Sequence, residues 1–180
     1  MKRNKIAFAV CGSFCNMEKA IKELENLSKN YDIIPILSFN VAKMNTRFGK
    51  AFEIREKIES ICSKKAIDSI EDAEPIGPQE MADILVICPC TGNTLAKIAN
   101  AITDTPVTMA VKSMLRTNHP IVICFASNDG LSASSQNLAK LRNTKNFYFV
   151  PLKRDDKIKK PHSLVADFSK LEETIGAVTK

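Results

Sequence analysis

The sequence predicts an α/β fold in three layers, a parallel sheet with helices packed on both faces. Short apolar runs of strand length recur along the chain, and the stretches between them carry apolar residues at helical spacing. The short runs are almost continuously apolar, as strands buried on both faces are. Small polar residues follow several of these runs, at the point where a strand hands over to a helix. Together these features describe a Rossmann-like (flavodoxin-like) plan. At 180 residues the chain reads as a single domain, 1–180, long enough to bury a sizeable core.

Residues 6–10 read as the first strand, followed by a helix with Met17, Ala20, Ile21, Leu24 and Leu27 on one face. Residues 33–37 make the second strand. A polar loop, 38–49, leads to a helix carrying Phe48, Ala51, Ile54, Ile58 and Ile61. The stretch 64–80 is less regular, with Pro75, Gly77 and Pro78, and 67–70 could add a short strand. Residues 84–87 are the third main strand, and Leu95, Ile98, Ala99 and Ile102 mark the helix after it. Asp104 or Thr105 caps the next helix, with Pro106 in its first turn. A strand over 121–125, a helix over 132–141 and a strand over 147–150 follow. Leu164, Phe168, Leu171, Ile175 and Val178 form the stripe of a C-terminal helix.

The 44% hydrophobic and 26% charged composition is that of an ordinary folded protein. No apolar run approaches the roughly 20 residues of a membrane span. The apolar residues 6–10 are too few for a signal-peptide core, so a cytoplasmic protein is expected. The net charge of +6 is spread along the chain, and its densest cluster, 153–160, is interrupted by Asp155 and Asp156. With two Tyr and no Trp to stack on bases, that cluster reads as a solvated loop and nucleic acid as no partner. Six cysteines form no C-x-x-C pair and have no neighbouring histidine, so neither zinc nor a disulfide framework is expected.

In a parallel sheet the ligand site lies beyond the carboxyl ends of the strands. The loops there read Cys11-Gly12-Ser13, Ser38-Phe39-Asn40, Pro89-Cys90-Thr91-Gly92-Asn93-Thr94 and Ala126-Ser127-Asn128-Asp129-Gly130. They carry hydroxyls, amides and glycine but no metal-ligand cluster. The Cys90–Thr94 stretch opens a helix, where free N–H groups and the helix dipole favour an anion. With neither G-x-G-x-x-G nor a Walker motif, the first loop suits one phosphate better than a pyrophosphate. The expected cofactor is therefore a mononucleotide such as FMN. Its candidate residues are Gly12, Ser13, Ser38, Cys90, Thr91, Asn93, Thr94, Ser127 and Asn128.

The Gly12-Ser13 turn, the segment Pro89-x-Thr91-x-Asn93-Thr94-x-Ala96-Lys97-x-Ala99 with Asp104, and Ser127-Asn128 resemble the flavoprotein family. That family includes flavin prenyltransferases and peptidyl- and phosphopantothenoyl-cysteine decarboxylases, which hold FMN at the interfaces of homo-oligomers. Further matches are dispersed nearly end to end, among them Thr46-Arg47-Phe48-Gly49-Lys50, Thr103-Asp104-Thr105-Pro106-Val107 and Lys160-Pro161-His162-Ser163. They resemble one branch of the family. Its members work together with a dehydrogenase-like partner protein, with NADP expected on that partner. The pair oxidises dihydrodipicolinate to the pyridine dicarboxylate of bacterial endospores. The resemblance thus implies one component of an oxidoreductase, itself a homo-oligomer, in the cytoplasm of the mother cell. It also implies that Gly12, Ser13 and Ser38 hold phosphate and ribityl chain, while Thr91, Asn93 and Thr94 line the flavin. Ser127 and Asn128 would close the site.

Two departures bear on activity. Where the cysteine decarboxylases carry a histidine, this chain has Glu74-Pro75-Ile76-Gly77-Pro78, and its two histidines are His119 and His162. The first loop also lacks the small residues common in the prenyltransferases. A dianionic substrate calls for cations, and Arg47 is the first candidate for a bidentate carboxylate clamp. Lys50 comes next, then Lys97 and Arg116. No catalytic base is identifiable. Three readings stay open: a redox component, another enzyme of the family, and a non-catalytic assembly factor.

Overall fold

Four strands, β1 (Lys5–Val10), β2 (Asp32–Leu37), β3 (Ile84–Cys90) and β4 (Ile121–Ser127), run parallel in the order β2-β1-β3-β4. The structure is a computed structural model that describes residues 4–178. β5 (Phe147–Phe149) continues the parallel sheet along the first half of β4, pairing Ile121 with Phe147 and Ile123 with Phe149. A hairpin of β6 (Leu152–Arg154) and β7 (Leu164–Ala166) adds antiparallel to the second half, at Ala126 and Ser127. The two halves of β4 thus serve different neighbours. One extends the core, and the other carries a loop to the carboxyl edge.

Alternate residues of each strand face opposite layers, which is why the runs must be apolar throughout. Phe8, Val10, Val86, Cys88, Val122 and Cys124 face α1 (Met17–Ser28), α3 (Ala51–Cys62) and α8 (Leu171–Val178). Ala7, Ala9, Leu85, Ile87 and Ile123 face α5 (Gly92–Ala99), α6 (Pro106–Arg116) and α7 (Ser135–Arg142). Burial of a side chain such as Phe8 or Leu85 contributes about 1.5–3 kcal/mol.

Local structure departs from the sequence reading at several places. The loop 38–49 contains a short helix, α2 (Phe39–Lys43), because Ser38 caps it by accepting from the Val41 N–H. Phe48 lies before α3 and is exposed; that helix opens where the Lys50 N–H meets the Glu53 carboxylate. Between 64 and 80 there is no full strand: Ile67 makes a single bridge to Ile36, and α4 (Ile70–Ala73) begins on a Ser69 cap. β3 runs on through Pro89 and Cys90, so Cys90 is fully buried in the sheet rather than beyond it. The C-terminal stripe is divided, with Leu164 in β7, Phe168 in a 3-10 turn and α8 starting at Leu171. Thr105, not Asp104, caps α6; Asp104 pairs with Lys97 at 2.8 Å.

Candidate functional site

The chain leaves β1 toward α1 on one face and β3 toward α5 on the other. The turns therefore part, and a crevice opens between them at the carboxyl edge. A cleft of about 440 Å³ occupies this place. Its wall comes from the first turn (Gly12, Ser13, Phe14, Cys15, Asn16), the second (Thr91, Gly92) and the end of β4 (Ala126, Ser127, Asn128). Arg47 and Phe48 approach from before α3, while Asp155, Lys160, Ser163 and Val165 come from the β6–β7 hairpin and its loop.

At the first turn Ser13 precedes a 3-10 turn that runs into α1, yet its side chain caps nothing. Its Oγ accepts from Asn16 Nδ2 at 3.0 Å, and among the described residues no protein acceptor takes its proton. The hydroxyl is free to donate into the cleft. Gly12 is tightly held: a Cβ there would meet Asn40 Cβ and the Phe14 ring at 3.3 Å. The Cys11 N–H donates to Pro89 O at 3.2 Å and ties the two turns together.

The second turn follows a cis Cys88–Pro89 peptide and a register shift against β4. Thr91 caps α5 by accepting from the Thr94 N–H at 3.2 Å, and its own proton goes to Thr94 Oγ1 at 3.1 Å. The Asp129 carboxylate accepts from Ser127 and from Ser134, the latter at 2.9 Å, and lies against Gly92. A Cβ on Gly92 would sit 2.7 Å from both serine hydroxyls, so glycine is required for this close approach. The Ser127 hydroxyl beside Asp129 holds its carboxyl below the usual range, with Ser134 adding to the effect and burial opposing it. The Asp129 carboxylate therefore lies beside the first residue of α5, where it adds negative charge near the helix start.

Of the residues expected at a cofactor, Gly12, Ser13, Thr91, Ser127 and Asn128 meet on this cleft. Ser38, Cys90, Asn93 and Thr94 do not line it. Ser38 caps α2, Asn93 is exposed, and Thr94 is buried against Thr91. Burial pushes the Cys90 thiol well up and that of Cys11 up to about 11, which keeps both protonated and inert near neutral pH. Arg47 lines the cleft, its guanidinium 4.8 Å from the Phe48 ring and without a carboxylate partner among the described residues. Lys50 does not line it and pairs with Glu53. Neither histidine lines it, Lys97 is tied to Asp104, and Arg116 to Glu74 at 2.7 Å.

Sequence reasoning missed the hairpin's contribution. Lys160 and Asp155 pair at 2.8 Å on the cleft wall, and the buried Ser163 donates to Ser127 O. The signal was the charge run 153–160, which by composition alone resembles a solvated loop. Among the described residues no cluster could hold a metal ion, and no helix is long and apolar enough to cross a membrane.

This arrangement of sheet, switch-point cleft and hydroxyl-lined turns defines a class. The Flavoprotein family model matches residues 1–178, and the chain belongs to that family. Within it, the chain is 43% identical over 97% of its length to the B component of dipicolinate synthase from Bacillus subtilis, covering 88% of that protein. The crystal structure of the same component from Bacillus halodurans superposes with a TM-score of 0.88 at 38% identity, covering 97% of this chain and 90% of that one. An FMN-dependent cysteine decarboxylase, SpaF, shares the fold at a TM-score of 0.72 and 20% identity, with 98% of each chain covered.

Proposed function

We propose that this chain is the FMN-holding component of a dipicolinate synthase. It works with that enzyme's dehydrogenase-type component, which carries NADP, to oxidise dihydrodipicolinate to dipicolinate. The observation that carries the reading is the likeness to the Bacillus subtilis protein, which extends over 97% of the chain. The cleft suits the cofactor. Phe14, Phe48 and Val165 offer apolar wall, and Ser13 offers a free hydroxyl proton for a phosphate. A volume of about 440 Å³ lies within the range of small-molecule sites. The exposed Phe48 on the cleft wall and Phe52 in the first turn of α3 support a homo-oligomer with a neighbouring copy there. A product destined for the spore supports a location in the mother-cell cytoplasm.

When bound, FMN supplies two-electron redox chemistry. This chain's residues then orient and bind. Arg47 gives a bidentate contact to a substrate carboxylate, Asn128 donates through its amide, and the two phenylalanines limit water. The oxidation removes a hydride equivalent, for which the NADP of the dehydrogenase-type partner would be the terminal acceptor, and a proton. Among the described residues Asp155 is the one carboxylate on the cleft wall, and it is held by Lys160, so the proton leaves to the dehydrogenase-type partner or to solvent. A cysteine decarboxylase reading lacks its histidine here, because His119 bonds Thr117 and His162 lies outside the cleft lining.

The test is a visible spectrum of the purified chain and a titration with FMN. A flavin absorbance, or uptake at micromolar concentration, is expected; neither would appear if the flavin reading is wrong. Turnover of dihydrodipicolinate by the dehydrogenase-type partner that is the same with and without this chain would leave it no catalytic part.

A further inference from the structure

The β6–β7 hairpin is the one part of the described sheet that runs antiparallel, and it pairs with the last residues of β4. Its loop, 155–163, hangs over the carboxyl edge and is anchored at the base by two bonds to the end of β4 and the β4–α7 connection. Ser163 Oγ donates to Ser127 O, and the Leu131 N–H donates to His162 O at 2.9 Å. Asp156 shapes the loop by accepting from the N–H groups of Ile158 and Lys159, both at 2.9 Å. The Lys160 N–H then closes a turn onto Asp156 O at 2.9 Å. This geometry turns the Lys160 side chain onto the cleft wall, while its neighbours Lys157 and Lys159 stay outside.

The chain has 26 lysines and arginines, and among the described residues two of them line the cleft, Arg47 and Lys160. They come from opposite sides, one before α3 and one from the hairpin loop. The carboxylate of Asp155 neutralises one cation and leaves an excess positive charge, with Arg47 unpaired among the described residues. Ser13 adds a hydroxyl proton with no protein acceptor among them. Cationic donors outnumber carboxylates on this wall, which is the composition of an oxyanion site.

We infer that Lys160 is an oxyanion-binding residue of this cleft, the second cation beside Arg47, with Asp155 as its internal counter-ion. Asp155 positions the ammonium and competes with the ligand for it. The oxyanion is either the phosphate of the mononucleotide or a carboxylate of the pyridine dicarboxylate. The inference rests on the proposed reading for its ligands, and the two fail separately.

The experiment titrates the full chain with FMN, riboflavin and pyridine-2,6-dicarboxylate, in wild type and in Lys160→Gln, Lys160→Arg, Asp155→Asn and Lys159→Gln, with circular dichroism confirming the fold of each. Lys160→Gln is expected to weaken one oxyanion about ten- to hundredfold, with Lys160→Arg restoring most of it. Loss for FMN but not riboflavin assigns Lys160 to the phosphate; loss for the dicarboxylate alone assigns it to the substrate. Asp155→Asn is expected to tighten the same oxyanion severalfold by removing the competitor, whereas a merely structural aspartate would weaken it. Lys159→Gln is expected to change nothing. Wild-type binding that Lys160→Gln leaves within twofold for all three ligands overturns the inference. Absence of FMN uptake together with dicarboxylate binding that needs Lys160 overturns only the flavin reading.

Discussion

The two strand-to-helix turns at the heart of the cleft both carry glycine and a hydroxyl residue, and they behave in opposite ways. At the β3–α5 turn the hydroxyls are satisfied from within. Thr91 caps the helix, Thr94 takes the Thr91 proton, and Asp129 lies against Gly92 with two serine hydroxyls on its carboxylate. At the β1–α1 turn Ser13 caps no helix and keeps its proton for the cleft. The turn richer in small polar residues is bonded within itself, and the sparser turn leaves a hydroxyl proton open to the cleft. A carboxylate beside the first residue of α5 repels a second anion there, so the phosphate is expected at Ser13 rather than at α5.

Breaking the closed turn should give the largest effect. Gly92→Ala places a Cβ 2.7 Å from the hydroxyls of Ser127 and Ser134, both fixed by Asp129. Overpacking of this kind costs about 1–3 kcal/mol, more than the small helix-propensity gain of alanine. Urea denaturation should show that loss. A stability equal to wild type would mean that the Asp129 cluster is not packed as described.

The second test is of charge. Hydrogen bonds from Ser127 and Ser134 depress the Asp129 acid in the folded state. A depressed carboxyl contributes stability that is fully present above the ordinary aspartate range near 3.9 and is lost as pH falls through the folded value. Unfolding free energy measured from pH 7 to pH 3 should therefore fall on the acid side. In Asp129→Asn it should start about 1–2 kcal/mol lower at pH 7 and fall less steeply. Parallel acid limbs for the two proteins would remove Asp129 from the account.

What the sequence could reveal follows the same division. The core strands were legible because burial on both faces leaves no polar positions, and α1 because Met17, Ala20, Leu24 and Leu27 keep a helical stripe. The β6–β7 hairpin was not legible. Leu152–Arg154 and Leu164–Ala166 are three-residue strands, too short to show a period, and Leu164 stands at helical spacing from Phe168 and Leu171. Gly12, Ser13, Thr91, Ser127, Asn128 and Arg47 could be placed at the cleft because they follow strand ends or precede a helix there. Lys160 could not. Its position depends on the pairing of Ala126 with Val165, a long-range contact that no local pattern announces.

The third test puts the two turns side by side. Thr91→Ala removes a helix cap and should cost about 1 kcal/mol of stability while leaving FMN affinity nearly unchanged. Ser13→Ala should do the reverse, weakening FMN about tenfold through a lost charge-assisted hydrogen bond while changing stability by less than about 1 kcal/mol. Riboflavin affinity should be indifferent to Ser13, since it lacks the phosphate. If both variants moved the same quantity, the contrast between a closed and an open turn would collapse.

The smallest effect is expected at Lys50, and it sharpens the contrast between cations near the cleft in sequence and cations on its wall. Lys50 follows Arg47 closely in the chain, yet its ammonium lies 3.8 Å from Glu53 with 72% of the side chain exposed. An exposed pair of this kind contributes about 0–1 kcal/mol and is screened by salt. Lys50→Gln should therefore leave FMN and dicarboxylate affinity within about twofold and stability within about 0.5 kcal/mol. Arg47→Gln, which removes a guanidinium with no carboxylate partner among the described residues, should weaken the dicarboxylate about tenfold. Equal losses in the two variants would mean that the segment before α3 acts through its summed field, because only a point contact at Arg47 can separate two cations so close in the chain.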